Sequence, residues 1–415
     1  MENCTPITEC LACGSHDLEL TLDLNDQPLA NSFQQHPGVI ETDPWFPLAV
    51  NRCKHCDHLQ LTHAVNPKLI YTHYLYVSGT SGTYREYMKW YARFVHETFT
   101  TYTNRMGPYN VLDVGCNDGS QLNFFADLGI KTYGVDPAKN LFKISSRSGH
   151  DVLVDFWNDD VAKQIANRTK DGTVDIITSQ NAFAHIPDNL AYLKTVSSIM
   201  SENSLLFIST SQADMIPNDE FDTIYHEHIS FFNVKSMRAL AQRAGLYLID
   251  AIKTPIHGTS YVFILARKPQ EQRVKNIIAM EDAIGLYKDD TYAAWAANTL
   301  RLVDELKTFV ELYKRKGYVL GGYGAAAKGN TLLNFSKIKL DFIIDDNELK
   351  QGKYSPGMSI PVVPISQLDK YSADDKILFI PLAWNYFDDI KKKILERRHN
   401  SNDKFLKYFP KVDIQ

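Results

Sequence analysis

The sequence predicts an α/β protein in three parts: a small cysteine-bearing N-terminal module, a central Rossmann-like domain and a C-terminal Rossmann-like α/β domain. Three observations predict it. Two CxxC pairs, Cys10-Leu11-Ala12-Cys13 and Cys53-Lys54-His55-Cys56, stand in a proline-punctuated first segment that is poor in core residues. Strand and helix patterns then alternate between Asn110 and Ala266, as they do in a parallel sheet covered by helices. After a charged helical stretch, a second strand, glycine loop and helix open at Tyr318.

Length and composition agree with this division. A chain of 415 residues exceeds one ordinary core. At 44% hydrophobic and 22% charged it has the balance of a soluble globular protein. No apolar run reaches the roughly 18 residues of a membrane helix. Met1-Glu2-Asn3-Cys4-Thr5 lacks the basic and apolar regions of a signal peptide, so a cytoplasmic protein without a membrane partner is expected. A net charge of −5 gives no basic field for nucleic acid, and Lys391-Lys392-Lys393 is the face of a helix. Oligomeric state is not written in the sequence.

Residues 1–72 form the first module. Pro28, Pro37, Pro44, Pro47 and Pro67 exclude long helices, and so small a unit needs a staple. In a reducing compartment, paired CxxC turns are metal sites. Cys10, Cys13, Cys53 and Cys56 supply the four thiolates of a closed, structural Zn²⁺ site. Cys4 lies outside the paired spacing, and Cys116 suits a small apolar position. His16, His55 and His58 are expected at the surface.

Residues 73–268 form the central domain. Tyr84, Tyr87, Met88, Tyr91, Phe94 and Val95 recur at helical spacing between about 80 and 106. Strands follow at Asn110–Val114, Thr132–Val135, Val174–Ser179, Ser204–Ser209, Leu246–Lys253 and Tyr261–Ala266. Helices are expected at Gln121–Leu128, Asn189–Met200 and Ser236–Ala244. Residues 269–316 read as a connector of two amphipathic helices. Residues 317–415 carry strands at Tyr318–Tyr323, Phe342–Asp345 and Lys376–Ile380, with helices beginning near Asn330 and spanning Asn385–Arg397.

The first strand of the central domain ends in Asp113-Val114-Gly115, and Cys116-Asn117-Asp118-Gly119 follows. Glycines there let the backbone approach a ligand at the strand's carboxyl end. Asp136, before Pro137, ends the next strand about 20 residues on, where an acid holds ribose hydroxyls. The pairing points to S-adenosylmethionine (SAM). NAD is the rival, but a full GxGxxG is absent. Gly115, Asn117 and Gly119 line the loop, and Asp113 or Asp118 reaches the amino-acid portion. Asp155 and Phe156 follow the third strand, where an adenine edge or mere surface is equally expected. Asn181 follows the fourth strand, whose end faces the transferred methyl group.

Phe221-Asp222-Thr223-Ile224-Tyr225-His226-Glu227-His228 is the second dense signal. Such polar groups are costly to bury without purpose, and histidine exchanges a proton near neutral pH. A metal-binding HxH or a solvated loop is the alternative for the segment in isolation. Its place after the fifth strand favours chemistry.

Taken together, these residues resemble the sugar C-methyltransferases of nucleotide-linked ketodeoxysugars, of which the TDP-sugar C-3′-methyltransferases are the best-known type. The resemblance covers nearly the whole chain. It rests on the CxxC pairs, Val111–Gly119, Ala184-His185-Ile186-Pro187-Asp188 and Tyr225–His228. It also rests on Tyr323–Asn334 and Asp345–Lys353. It implies a SAM-dependent methyltransferase acting on a nucleotide-diphosphate 4-keto sugar. His228 would be the base for the carbon-3 proton, and Glu227 its orienting partner. Tyr225, Tyr76 and His185 would contact the sugar or enolate oxygen.

The C-terminal domain would hold the nucleotide diphosphate, with Lys328, Asn330 and Lys353 as contacts near a helix N-terminus. Lys350 and Lys353 otherwise read as a solvated turn. One segment departs from the family. His257-Gly258-Thr259-Ser260-Tyr261 has Thr259 where a second glycine is usual, and no arginine follows. If His257 and its neighbours shape the sugar pocket, the sugar differs from the common ones. Transfer to oxygen or nitrogen of another phosphorylated metabolite, and SAM binding without turnover, are the competing readings.

Overall fold

The computed structural model describes residues 3–37, 44–71, 79, 82–146, 149–256 and 258–415. The N-terminal module contains β1 (Cys4–Pro6), β2 (Leu18–Pro28), β3 (Trp45–Cys53), β4 (Leu59–Leu61), β5 (His63–Val65) and the short helix α1 (Pro67–Tyr71). β1 pairs with β5, and β2, β3 and β4 form an antiparallel meander. Leu22, Leu24, Leu48 and Val50 turn one face of that meander into core.

Helix α2 (Gly82–Thr103) leads into the central domain. It buries Tyr84, Met88, Tyr91, Val95 and Phe99 along one face, the stripe expected from the sequence. The domain continues β6 (Asn110–Val114), α3 (Ser120–Ala126), β7 (Lys131–Val135), α4 (Phe142–Ser145), β8 (Asp151–Leu153), α5 (Asp159–Ala166) and β9 (Val174–Gln180). Next come α6 (Asn189–Ser198), β10 (Met200–Ser211), β11 (Ser230–Phe231), α7 (Val234–Arg243), β12 (Tyr247–Thr254) and β13 (Ser260–Ala266). Seven strands make one sheet in the order β12-β13-β10-β9-β6-β7-β8. β13 runs antiparallel to both of its neighbours, and the pairs from β10 to β8 are parallel.

Both faces of this sheet are covered, which explains the unbroken apolar runs of its strands. Alternate residues serve separate cores. Val111, Ile176, Leu205 and Phe207 pack with Tyr91, Val95 and Phe99 of α2. Leu112, Ile177, Leu206 and Ile208 pack with α5, α6 and α7 on the other side. Each such side chain contributes about 1.5–3 kcal/mol on burial.

Helices α8 (Gln272–Ala283) and α9 (Asp289–Arg315) form the connector. Asp289 and Asp290 in the first turn of α9, and Lys314 and Arg315 in its last, complement the helix dipole. Arg52 of the first module lies 2% exposed against this connector. Its guanidinium meets Asp57 at 3.0 Å and Asp289 at 2.7 Å, and stacks 4.2 Å from the Tyr292 ring.

The C-terminal domain comprises β14 (Val319–Tyr323), α10 (Ala327–Ser336), β15 (Phe342–Ile344), β16 (Val362–Val363), β17 (Ile377–Pro381), α11 (Phe387–Arg397), β18 (Lys404–Lys407) and β19 (Asp413–Ile414). Its six strands are ordered β16-β15-β14-β17-β18-β19, with only β19 antiparallel. α10 begins earlier than the sequence suggests and carries Lys328 in its first turn. Strands β11, β16, β18 and β19 are not evident in the sequence, because two to four residues give too short a pattern.

The three parts share cores. Leu22, Leu24 and Val50 of the first module, Trp295 and Leu306 of α9, and Leu320, Leu332 and Leu378 of the last domain belong to one cluster. β11 leaves the central domain to pair with β4, Ser230 opposite Gln60 and Phe231 opposite Leu59. Among the described residues, no helix is long and apolar enough to cross a membrane.

Candidate active site

The four expected zinc ligands converge. The sulfurs of Cys10, Cys13, Cys53 and Cys56 all lie within 4.8 Å of one another. Cys10 and Cys56 are 3.6 Å apart, as are Cys13 and Cys53. A tetrahedron with Zn–S of about 2.3 Å has edges of about 3.8 Å, so the two close pairs match its edges and the whole set clusters tightly enough to hold the ion. Cys10, Cys53 and Cys56 are buried, as a structural site requires. His16 and His55 are exposed, as expected. His58 is not: it is fully buried, with Nε2 3.3 Å from Ser230 Oγ and its ring 4.6 Å from Phe232. The seam between the first module and the central domain passes over it, and sequence cannot see that seam.

The loop from Gly115 to Gly119 lies where the strand order reverses, between β6 and β9, where open α/β sheets bind ligands. Gly115 has φ +88°. A Cβ there would lie 2.6 Å from that of Ala182, so glycine alone brings the two strand ends together. Asp136 accepts the backbone N–H groups of Asn117 and Ala138, each at 2.8 Å. Burial raises its pKa, and those two N–H groups oppose the rise. Asp118 is buried and accepts the N–H groups of Gly79 and Ser120.

Asp113 lies between the strands, 2.7 Å from Thr178 Oγ1, and burial pushes its pKa up to about 7. Asn181 has φ +51°, and its Oδ1 is buried without a hydrogen bond among the described residues. Pro137 is half-buried beyond Asp136, and Gly119 has φ +78°. Asp155 and Phe156 are exposed at the end of β8. Cys116 is a packing residue: a Cβ on Gly134 would lie 2.8 Å from its sulfur, and burial raises its thiol well above the usual range. The crevice, its glycines and its unpartnered amide oxygen are compatible with SAM.

The second signal folds beside this crevice. Phe221, Asp222, Thr223 and Ile224 are buried and anchor the turn that follows. His228 donates its backbone N–H to the Tyr225 carbonyl, and Ile229 donates to Ala184. The latter bond ties the turn after β9, which carries His185, to the histidine motif. The His185 and His228 rings are 5.0 Å apart. His228 Nδ1 lies 2.8 Å from the Thr223 carbonyl oxygen, which can only accept, so Nδ1 carries the hydrogen and Nε2 the lone pair. Tyr225 Oη is 2.8 Å from that Nε2.

Burial lowers His185 to about 4 and keeps it neutral. Its Nε2 is buried with no hydrogen bond among the described residues. The Tyr71 ring stacks 6.0 Å from it. His226 points the other way, 3.2 Å from the Phe46 carbonyl, and is likewise lowered to about 4 by burial. Glu227 accepts the Asn31 side-chain N–H. Tyr76 and His257 lie outside the described residues.

Three family models tile the chain. Residues 10–71 match the "Putative zinc binding domain", residues 84–251 the "Methyltransferase domain" and residues 255–410 the "C-methyltransferase C-terminal domain". The C-methyltransferase NovU of Streptomyces niveus is 30% identical over 405 residues, covering 94% of each chain. The chain belongs to this family of SAM-dependent C-methyltransferases. A ubiquinone biosynthesis O-methyltransferase of Xanthomonas oryzae pv. oryzae is 31% identical over only 102 residues, 24% of this chain and 42% of that one. Magnesium protoporphyrin IX methyltransferase from Synechocystis PCC 6803, solved with bound SAM, overlays 44% of this chain and 79% of its own. That overlay has a TM-score of 0.32 and 12% identity, too slight to carry weight.

In this C-methyltransferase a further polar cluster joins the central and C-terminal domains. The Trp384 indole N–H donates to Asp222 Oδ2 at 2.8 Å, and Tyr408 Oη lies 3.3 Å from the same oxygen. Lys328 Nζ sits 4.8 Å over the Trp384 ring and makes no hydrogen bond among the described residues. Burial raises both Glu220 and Asp222, and Lys328 opposes that rise. A cavity of about 560 Å³ opens beside Glu220 and Trp384.

Asn330 is buried, with Nδ2 donated to the Ala30 carbonyl at 2.7 Å. Lys353 is half-buried in its turn. Lys350, whose alternative reading was a solvated charge, is instead turned inward onto the Ala325 carbonyl at 2.7 Å, and burial lowers its pKa. Asn31, Gln212 and Lys350 are the site neighbours that sequence reasoning missed. Gln212 carries the one available signal, since its amide follows a strand end directly. Its side-chain amide lies 2.8 Å from His228 Nδ1, and because Nδ1–H is a donor, the amide oxygen is the atom that faces the ring, where it also accepts the Ser211 hydroxyl.

Proposed function

We propose that this C-methyltransferase acts at carbon 3 of a nucleotide-linked 4-keto-deoxysugar through a base-generated enolate. The observation that carries the reading is the His228 imidazole, held by the Thr223 carbonyl at Nδ1 and presenting its Nε2 lone pair beside the Tyr225 hydroxyl. A neutral imidazole so fixed is a base for a proton acidified by an adjacent carbonyl.

His228 Nε2 takes the carbon-3 proton, and the electron pair moves onto the keto oxygen as the enolate. Tyr225 and neutral His185 donate hydrogen bonds to that oxygen, and Glu227 steadies the motif. SAM, held by the Gly115–Gly119 loop and Asp136, supplies the electrophilic methyl group when bound. Removing the proton contributes about 10²–10⁴-fold, and donors at the enolate oxygen on the order of a few kcal/mol. Alignment of the two reactants must supply much of the remainder. Lys328, in the cluster with Trp384, Glu220 and Asp222, is the cation proposed to meet the diphosphate, within a role in deoxysugar or polysaccharide synthesis.

Purified protein incubated with SAM and TDP-, GDP- and CDP-linked 4-keto-6-deoxysugars in deuterated water tests this by mass. One added methyl group on one nucleotide sugar is expected, and His228→Ala should abolish it while SAM still binds. Deuterium uptake without a methyl group would mean a working base on the wrong sugar. No change with any sugar would favour a different acceptor.

A further inference from the structure

Glu227 is held from outside its own domain. Asn31 Nδ2 donates to Glu227 Oε1, and the direction is fixed because a carboxylate only accepts. Asn31 belongs to the segment after β2, and the C-terminal domain pins that segment on both sides of it. The Ala30 carbonyl, from a residue 6% exposed, accepts the Asn330 amide at 2.7 Å. Gln34 and Tyr354 exchange backbone hydrogen bonds at 2.9 Å in each direction. Phe33 lies 5.3 Å beneath the Lys350 ammonium. Lys350 is itself anchored on Ala325, close enough to feel the Glu227 charge. The first module therefore hands one amide to the catalytic motif, and the last domain fixes where that amide arrives.

We propose that Asn31 is a positioning residue for the methyl transfer, setting the Glu227 carboxylate beside the base, so that the zinc module is part of the catalytic apparatus and not only a structural appendage. The proposal rests on the reading of Glu227 and His228 given above. Among the described residues, Lys350 and Tyr71 both lie close enough to feel the Glu227 charge. Asn31 is the hydrogen-bond donor that the described N-terminal module contributes to it.

The test uses the full-length, zinc-loaded protein with SAM and TDP-4-keto-6-deoxyglucose. Asn31→Ala should lower kcat roughly ten- to a hundredfold, with SAM affinity and zinc content unchanged. Asn31→Asp keeps the shape but sets two carboxylates together, which then share a proton. The acid limb of its kcat–pH profile should move up by about one pH unit or more.

A second readout needs no sugar. In the Asn31→Asp variant the introduced carboxylate and Glu227 would have raised folded-state pKa values, so their shared, stabilising proton is present at low pH and lost as pH rises. The thermal midpoint of Asn31→Asp should therefore fall below that of wild type between about pH 5 and 8. Wild-type kcat in Asn31→Ala, or an Asn31→Asp midpoint that tracks wild type at every pH, would overturn the proposal. Glu227→Gln, measured alongside, separates the two failures. If it is fully active, the reading of Glu227 fails. If it is impaired while both Asn31 variants behave as wild type, only the role of Asn31 fails.

Discussion

The Tyr225 hydroxyl lies 2.8 Å from Nε2 of His228. In the resting enzyme this hydrogen bond favours the neutral imidazole, because a donor to the lone pair disfavours its protonation. Tyr225→Phe removes that bias and, on the proposed mechanism, a donor for the enolate oxygen. A fall in kcat of roughly ten- to a hundredfold is expected, with the acid limb of the profile moved to higher pH. Steady-state rates across pH check both parts.

Gln212 approaches the same ring from its other side. It has φ +109°, a conformation that costs a non-glycine residue about 1–3 kcal/mol. Its backbone N–H and that of Ala213 both donate to the Thr259 carbonyl, which holds it there. Gln212→Glu places a carboxylate against Nδ1–H and stabilises the imidazolium. The acid limb should rise by about a pH unit or more, while deuterium uptake at high pH approaches the wild-type rate. An unshifted profile would show that Gln212 does not tune the base.

Burial lowers His185 and His226 to about 4, against about 6.5 unfolded. A depressed folded pKa gives stability that is complete above pH ~6.5 and is lost as pH falls towards ~4. The thermal midpoint should therefore drop steeply across that window. His226→Gln, able to keep the bond to the Phe46 carbonyl without a titrating ring, should flatten the slope. Calorimetry at stepped pH reads the difference.

Gly115→Ala sets a methyl group 2.6 Å from the Ala182 Cβ at a φ of +88°. About 1–3 kcal/mol of stability should be lost, and SAM affinity should fall with it as the loop is pushed away from β9. Asp136→Asn should weaken SAM and also lower the midpoint, since its single amide oxygen can accept only one of the two backbone N–H groups that the two carboxylate oxygens hold. Titration calorimetry reads the first effect and thermal melts the second.

Chelation of the cysteine site should cost more than the first module. Cys10, Ala12, Cys53 and Cys56 are part of the same core as Phe232, Val234 and Met237. A chelator, or Cys13→Ser, should lower the thermal midpoint and extinguish methyl transfer together. Restored zinc should recover both in the chelated protein. Zinc content by atomic spectroscopy, followed alongside activity, checks the link.

The central domain is legible because its strands are buried on both faces and its helices on one, so the two periods separate cleanly along Asn110–Ala266. The zinc set is legible from spacing, since CxxC imposes its own turn whatever surrounds it. The partners of the histidine motif are not. Asn31 and Glu227 are 196 positions apart, and no local pattern announces a contact made across domains. Lys350 escapes for the same reason, as a turn lysine is buried only when another domain closes over it. His58 reads as a surface residue because the face it occupies is covered by the distant segment from Ser230 to Phe232.

β11 begins two residues after His228, yet it is the outer strand of the sheet built from β2, β3 and β4. During synthesis the N-terminal sheet therefore waits, one edge open, until residues 230 and 231 have been made. A fragment ending before them would expose the β4 edge, and a fragment starting after the module would strand β11 without a neighbour. Chimaeras between relatives have to respect this weave. The segment from Phe221 to Phe231 should travel with the donor of the zinc module, while the seven-stranded sheet around it can come from the recipient.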